Sequence, residues 1–314
     1  MYPRIVAIVL LGFALMTAAA FAQTHPQRGP DQPVRPRLPT LERRASRLPA
    51  AQRPAPPQPP RPPFTLTPQQ EAQVDRVLNL WEQRNRKIKT FDCRFKRWIY
   101  DAVFQTPQPN QPLQPKYVES GVIKFATPDR GLFRLETTEK DGREVPIEDH
   151  RAEHWICDGK SIFEYDPVKR QVIEHKLPPE IQGKAIADSP LPFMFGSEAK
   201  TLKQRYFIRI VTPRDAKDQI WLEAYPRFQQ DTANFHHAQF IIAAQGMSPF
   251  ALRIVEPNGK SYGVYQFHDI VVNDPLKFFQ GNPFRPHTPL GWQLVPDESP
   301  SAQAHRRPST DGRR

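Results

Sequence analysis

Trp155-Ile156-Cys157-Asp158-Gly159-Lys160-Ser161-Ile162-Phe163-Glu164-Tyr165-Asp166-Pro167, running on to Gln171-Val172-Ile173-Glu174-His175, decides how this chain folds. Asp158-Gly159 and Asp166-Pro167 divide the stretch into three short runs rich in β-branched and aromatic residues. Asp-Gly supplies the positive-φ positions of a tight hairpin turn, and Asp-Pro starts a turn with φ already fixed. The spacing predicts a three-strand antiparallel meander with aromatics available to one buried face. Gly159-Lys160-Ser161 echoes the end of a phosphate loop, but the glycine that opens such a loop is missing. With no nucleophile motif or metal cluster in it, the stretch points to a protein that works through an apolar sheet.

Moving outward, Thr67-Pro68-Gln69-Gln70 is a helix start. Thr67 caps, Pro68 suits the first helical position, and Gln70 completes a capping box. Val74, Val77, Leu78, Trp81 and Ile88 recur at helical spacing and predict a helix over 68–88 packed on the sheet. Phe91, Cys93 and Phe95 then alternate with polar residues, and Trp98 to Tyr100 extend the run. Further strand-like runs lie at 117–126, 132–138, 206–211, 219–225, 237–244, 250–256 and 261–272, with a turn at Pro257-Asn258-Gly259-Lys260. About ten strands without strand–helix alternation predict a mainly β (α+β) fold, an antiparallel sheet or open barrel.

Ser189-Pro190-Leu191-Pro192-Phe193-Met194-Phe195-Gly196 is a short apolar segment between prolines. It reads either as a loop plugging the end of the core or as a lid formed by Leu191, Phe193, Met194 and Phe195.

Catalytic and metal-binding constellations are weak. His236 and His237 are adjacent, so on a strand they point to opposite faces. His150 and His154 have a spacing that suits a metal only on a helix. Asp141, Glu144, Glu148 and Asp149 read as a solvated acidic loop. The expectation is a non-enzyme without metal or cofactor.

The ends differ from the middle. Residues 1–22 read as a secretory signal peptide: Arg4 precedes an apolar run, and Ala20-Phe21-Ala22 fits cleavage after Ala22. An uncleaved anchor is the alternative. Of the 37 prolines, 13 fall between Thr24 and Pro63, with eight arginines against only Asp31 and Glu42. Residues 23–63 therefore read as a disordered Pro/Arg-rich linker, and 296–314 as a disordered tail. The linker carries +6 of the formal net charge of +11, which leaves about +3 for the domain at 64–295. Such a charge is poor evidence for specific nucleic-acid binding; an anionic envelope surface is the better partner for the linker. Cys93 and Cys157 are the only cysteines. Export makes a disulfide between them accessible, worth about 4 kcal/mol in the chain-entropy model, with two buried thiols as the alternative.

In order and spacing, several segments resemble the outer-membrane lipoprotein carrier superfamily, the LolA/LolB-like proteins. Gly121-Val122-Ile123-Lys124-Phe125-Ala126-Thr127-Pro128 with Leu132-Phe133-Arg134-Leu135-Glu136 is similar to that family's second and third strands. The meander resembles its most recognisable segment, Ser189 to Phe195 stands where the family has its lid helix, and Phe284 to Leu294 is similar to its closing strand. The Pro-rich preface suggests a planctomycete-type branch. One departure concerns the lid: where the carrier has an Arg immediately before the strand-two Pro, this chain has Thr127, and Arg130 follows three residues later.

The resemblance implies an open antiparallel barrel wrapped round helices, with a short helical lid and a hydrophobic cavity for acyl chains. The expected function is that of a periplasmic lipid- or lipoprotein-binding protein; an envelope-tethered sensor or interaction module is the alternative. Candidate cavity residues are Phe133, Leu135, Trp155, Phe163, Tyr165, Ile220, Leu222, Phe240 and Ile242, with plain core packing as the competing role for each.

Overall fold

The computed structural model describes residues 62–103, 112–179, 182, 198–275 and 281–297. Helix α1 (Pro68–Asn85) begins with the expected reciprocal cap. Gln70 N–H donates to Thr67 Oγ1 at 3.3 Å, and Thr67 N–H donates to Gln70 Oε1 at 2.9 Å. Val74, Leu78, Trp81 and Asn85 form its buried face. The helix ends three residues before the periodicity predicts. Asn273 is the cause: its Oδ1 accepts from Lys89 and Thr90 N–H at 2.7 and 3.1 Å, and its Nδ2 donates to the Lys87 carbonyl at 2.8 Å. Backbone groups that could have continued the helix are thereby committed to a strand entrance.

The strands are β1 (Thr90–Tyr100), β2 (Tyr117–Ala126), β3 (Arg130–Lys140), β4 (Arg143–Pro146), β5 (His154–Cys157), β6 (Ser161–Asp166), β7 (Gln171–Lys176), β8 (Tyr206–Ile210), β9 (Gln219–Pro226), β10 (His237–Ala243), β11 (Ser248–Val255), β12 (Tyr262–Val272) and β13 (Gln293–Pro296). Helices α2 (Ala199–Arg205) and α3 (Gln229–Thr232) interrupt them. Among the described residues these strands form one sheet, in the order β13-β7-β6-β5-β3-β2-β1-β12-β11-β10-β9-β8, with β4 paired to β3 outside that path. Neighbours are antiparallel except β13, which runs parallel to β7. The two end strands, β8 and β13, are not paired with each other, so the barrel is open. Among the described residues no helix is long and apolar enough to cross a membrane.

The meander is β5, β6 and β7. Asp158 Oδ1 accepts from Lys160 and Ser161 N–H, both at 2.8 Å. Gly159 has φ +95°, and a Cβ there would lie 2.6 Å from the Asp129 carboxylate, so only glycine fits. Asn258 repeats the device between β11 and β12, accepting from Lys260 and Ser261 N–H at 2.8 and 2.9 Å.

Two expectations change, and of the two readings left open for the cysteines the structure shows the thiols. The acidic stretch from Asp141 is not a loop throughout: Asp141 and Gly142 both have positive φ, and they turn the chain back into β4. His236 and His237 do not diverge, because β10 begins only at His237; their Nδ1 atoms are 2.8 Å apart. Cys93 and Cys157 are free thiols. Cys93 lies on β1 and Cys157 on β5, with β2 and β3 between. Three strand spacings are about 14 Å, twice the reach of a disulfide. Burial, the first cause in each case, pushes their thiols up to about 12 and about 11, so both stay protonated and inert.

The signal peptide, nearly all of the linker, most of the tail and the lid residues Leu191, Phe193, Met194 and Phe195 lie outside the described residues.

Candidate functional site

The sheet has one apolar face that runs along nearly its whole length. Phe91, Cys93 and Phe95 on β1 share it with Ile123 and Phe125 on β2 and with Phe133 and Leu135 on β3. Trp155 and Ile162 extend it on one side; Leu222, Phe240, Ile242, Leu252 and Tyr265 extend it on the other. Val74, Leu78 and Trp81 of α1 and Ala199 and Leu202 of α2 pack onto this inner face. Trp81 meets Phe240 edge-on at 5.0 Å, and Phe95 stacks on Phe133 at 5.2 Å. Gly121 makes room for that stack: a Cβ there would lie 2.8 Å from the Phe95 ring and 2.2 Å from the Arg134 carbonyl oxygen. Each fully buried aromatic contributes about 2–3 kcal/mol by transfer from water.

The nine candidate cavity residues divide. Phe133, Leu135, Trp155, Leu222, Phe240 and Ile242 belong to the inner face, and Ile220 packs against it. Phe163 and Tyr165 do not. They lie on the opposite face with Val122, Leu132, Ile156, Val172 and Phe284. The reason is register: Cys157 pairs with Ile162 and Trp155 with Glu164, so an odd-numbered residue on β5 shares a face with an even-numbered one on β6.

The outer cluster is roofed by a C-terminal strap, residues 284–292, that leads into β13. Phe284 is inserted among the outer apolar side chains, and Trp292 packs beside them. Tyr165 secures the strap, its hydroxyl donating to the His287 carbonyl at 2.9 Å and accepting from His287 N–H at 3.1 Å. The Tyr165 ring stacks on His154 at 4.2 Å. Burial, helped by the charge of Arg134 and by His287, lowers the His154 imidazole to about 4. On the inner side, beside Trp155, His175 holds the residue after β13, lying between Asp297 at 2.9 Å and Glu164 at 3.4 Å. Burial opposes its charge, but hydrogen bonds to both carboxylates win and raise its affinity for a proton.

Polar groups on the inner face went unnoticed in the sequence. On β1 the apolar alternation Phe91, Cys93, Phe95 continues into Arg97, which is 5% exposed. Its Nε donates to Glu119 at 2.5 Å and its Nη2 to Glu153 at 2.7 Å, while Arg151 also binds Glu119. Burial works against the Arg97 charge, but Glu153, Tyr265 and Glu119 outweigh it and hold the guanidinium protonated. Burial pushes the Tyr265 hydroxyl up to about 12. This network of two cations and two carboxylates ends the apolar stripe. Elsewhere on the face two indole donors, Trp81 Nε1 and Trp155 Nε1, are buried without a hydrogen-bond partner. Alternating charge and apolarity reads as a solvent-facing strand, which is why only the pairing of Arg97 with Glu119 across β1 and β2 reveals the network.

Among the described residues no group of three or more His, Cys, Asp or Glu side chains is placed to hold a metal ion. Glu148 is engaged by Lys140, and Glu144 accepts from Ser120.

An open antiparallel sheet whose apolar inner face is covered by helices defines a mainly β class of open barrels. The chain is 31% identical over 185 residues to an outer-membrane lipoprotein carrier protein of Bordetella avium, covering 59% of this chain and 76% of the relative. A second protein of that name, from Bordetella pertussis, is 25% identical over 197 residues, covering 63% and 81%. The chain belongs to the outer-membrane lipoprotein carrier family. No family model matches it. Among solved structures, an uncharacterized conserved protein from Thermus thermophilus aligns with 73% of this chain and all of its own, at a TM-score of 0.40 and 10% identity. A LolA superfamily protein from Nitrosomonas europaea aligns with 68% of this chain and 99% of its own, at a TM-score of 0.31 and 9% identity.

Proposed function

We propose that this protein is a periplasmic, non-enzymatic, carrier-like protein that holds the acyl chains of a lipid or lipoprotein against the inner face of its sheet. The observation that carries this reading is the combination of family and face: a member of the carrier family has an apolar surface that runs under its helices for most of the sheet. Each methylene taken from water into such surroundings is worth about 0.8 kcal/mol, so part of an acyl chain suffices for useful binding. The two unpartnered indole donors add support. A buried N–H without an acceptor costs about 1–3 kcal/mol, and the ester or amide carbonyl of an acylated ligand would remove that cost.

In this reading Phe133, Leu135, Trp155, Ile220, Leu222, Phe240 and Ile242 line the acyl site, and Phe163 and Tyr165 hold the strap instead. Leu191, Phe193, Met194 and Phe195 form a lid that competes with cargo, Met194 being adaptable in shape. The leader is removed after Ala22, and the Pro/Arg linker tethers the domain to an anionic envelope surface.

Native mass spectrometry of the secreted chain purified from bacterial membranes tests the reading. Co-purified acyl lipid, lost when Phe193 and Phe195 are both changed to Asp, is the expected result. A lipid-free chain that also fails to take up added diacyl lipid would refute it.

A further inference from the structure

A cleft of about 620 Å³ lies between α1 and α2, lined by Asp75 and Asn79 of α1, by Ala199, Lys200, Lys203 and Gln204 of α2, and by Arg227 just after β9. Three cations there face one carboxylate, and that carboxylate is taken: Lys203 Nζ is 2.5 Å from Asp75 Oδ1. Glu82, the other α1 carboxylate directed at α2, is occupied by Arg86 and by Ala199 N–H. Arg227 is held from behind, its Nε donating to the Tyr206 carbonyl at 3.0 Å and its guanidinium lying 4.1 Å from the Phe207 ring centre. Neither Arg227 nor Lys200 has a carboxylate partner among the described residues. The wall of the cleft is also the edge of the interior, because Ala199 belongs to the apolar cluster of the inner face together with Leu202.

We infer that this cleft binds the phosphate-bearing headgroup of an amphiphile whose acyl chains lie on the inner face; the inference rests on the function proposed above and names its ligand class. A pre-positioned guanidinium offers two parallel donors to phosphate oxygens, and a lysine adds a point charge. Lys200 and Arg227 supply the excess positive charge, and Asn79 and Gln204 supply neutral donors for headgroup hydroxyls. The cleft is open to solvent, and its volume is enough for a phosphoglycerol group. A soluble phosphate ester carries the same recognition chemistry, so the test must separate the two sources.

The full mature chain is titrated with three probes: dioctanoyl phosphatidylglycerol, dioctanoylglycerol, and glycerol 3-phosphate. The expected order places the phospholipid about tenfold tighter than the neutral diacylglycerol, equivalent to about 1.4 kcal/mol, with glycerol 3-phosphate weakest. K200Q/R227Q removes the phospholipid's advantage and leaves dioctanoylglycerol binding unchanged. K200Q alone, at an exposed side chain with no partner to lose, reduces that advantage and keeps the test valid if R227Q does not fold. Equal affinity for the two acyl probes, unaffected by the variants, overturns the headgroup site and leaves acyl binding standing. Glycerol 3-phosphate bound as tightly as the phospholipid overturns the link between cleft and interior. Failure to bind either acyl probe overturns both this inference and the proposed function.

Discussion

The two faces of the sheet bury apolar side chains by different means. The inner face is covered by α1 and α2, and its cluster draws on β1 to β3, β5, β6 and β8 to β12. The outer cluster is confined to β2, β3, β5, β6 and β7 under the strap. On the other half of the outer side the same sheet carries a polar row instead, with Arg209 opposite Glu223, Glu223 opposite Gln239, and Gln239 opposite Arg253. A helix satisfies its own backbone and can rest on any apolar surface. A strap cannot, and must borrow partners, as Gln293 N–H does from the Arg170 carbonyl and the backbone of His287 does from Tyr165. The lesson is that covered area alone does not rank the two faces. The inner face is held by packing, and the outer one by packing conditional on a few polar contacts.

This contrast can be broken most directly by truncating one aromatic on each side. Phe240→Ala, at a residue 1% exposed against Trp81, should cost about 4 kcal/mol in urea unfolding. Phe284→Ala should cost about half as much, because the strap can detach locally and limit the loss. Equal costs would make the strap part of the global core.

The next effect sharpens the contrast through pH. His154, folded at about 4 against an ordinary 6.5, stabilises the protein fully above pH 6.5. As pH falls from 6.5 to 4 the unfolded chain takes up the proton first, and roughly 3 kcal/mol is lost. His175 has the opposite sign: its raised pKa stabilises fully below the unfolded value and is lost as pH rises through the folded one. Thermal melts on both sides of the ordinary histidine value should show the acid loss flatten in H154F and the loss at higher pH flatten in H175Q. An unchanged profile in H154F would sink the assignment.

A smaller change is expected from Tyr165→Phe, which leaves the ring on His154 and removes only the hydroxyl. About 1 kcal/mol is expected, seen as faster hydrogen exchange in 284–297 with no change in α1. The smallest effect tests the thiols: a reducing agent should leave Tm unmoved, within about 0.5 kcal/mol, since neither cysteine is in a bridge. A clear drop would mean that the two are paired.

Much of the architecture was legible from sequence. The reading of β2 as 117–126 coincides with the strand, and the Thr67 cap places the start of α1. Both depend on chemistry within a few residues. Facing was harder: all six residues of β6 are buried, so its sequence carries no alternation to separate an inner side from an outer one. Placing Phe163 and Tyr165 required the four-residue turn and the pairing of Cys157 with Ile162. The Arg97 network and the Arg227 cleft were invisible for a related reason. Their members are spread from Asp75 to Arg227, and only the assembled sheet and helices bring them together.

Asn273 holds the junction of α1 and β1, and β1 is hydrogen-bonded along its length to β12. The middle of the sheet is therefore closed by the union of the first strand with one that begins at Tyr262. For a chain made from its N-terminus, β1 can pair with β2 early but must wait for most of the domain before its second edge is covered. Contacts of such long sequence separation are slow to form. A nascent chain would therefore carry its central strand with one edge uncovered until nearly all of the domain had emerged.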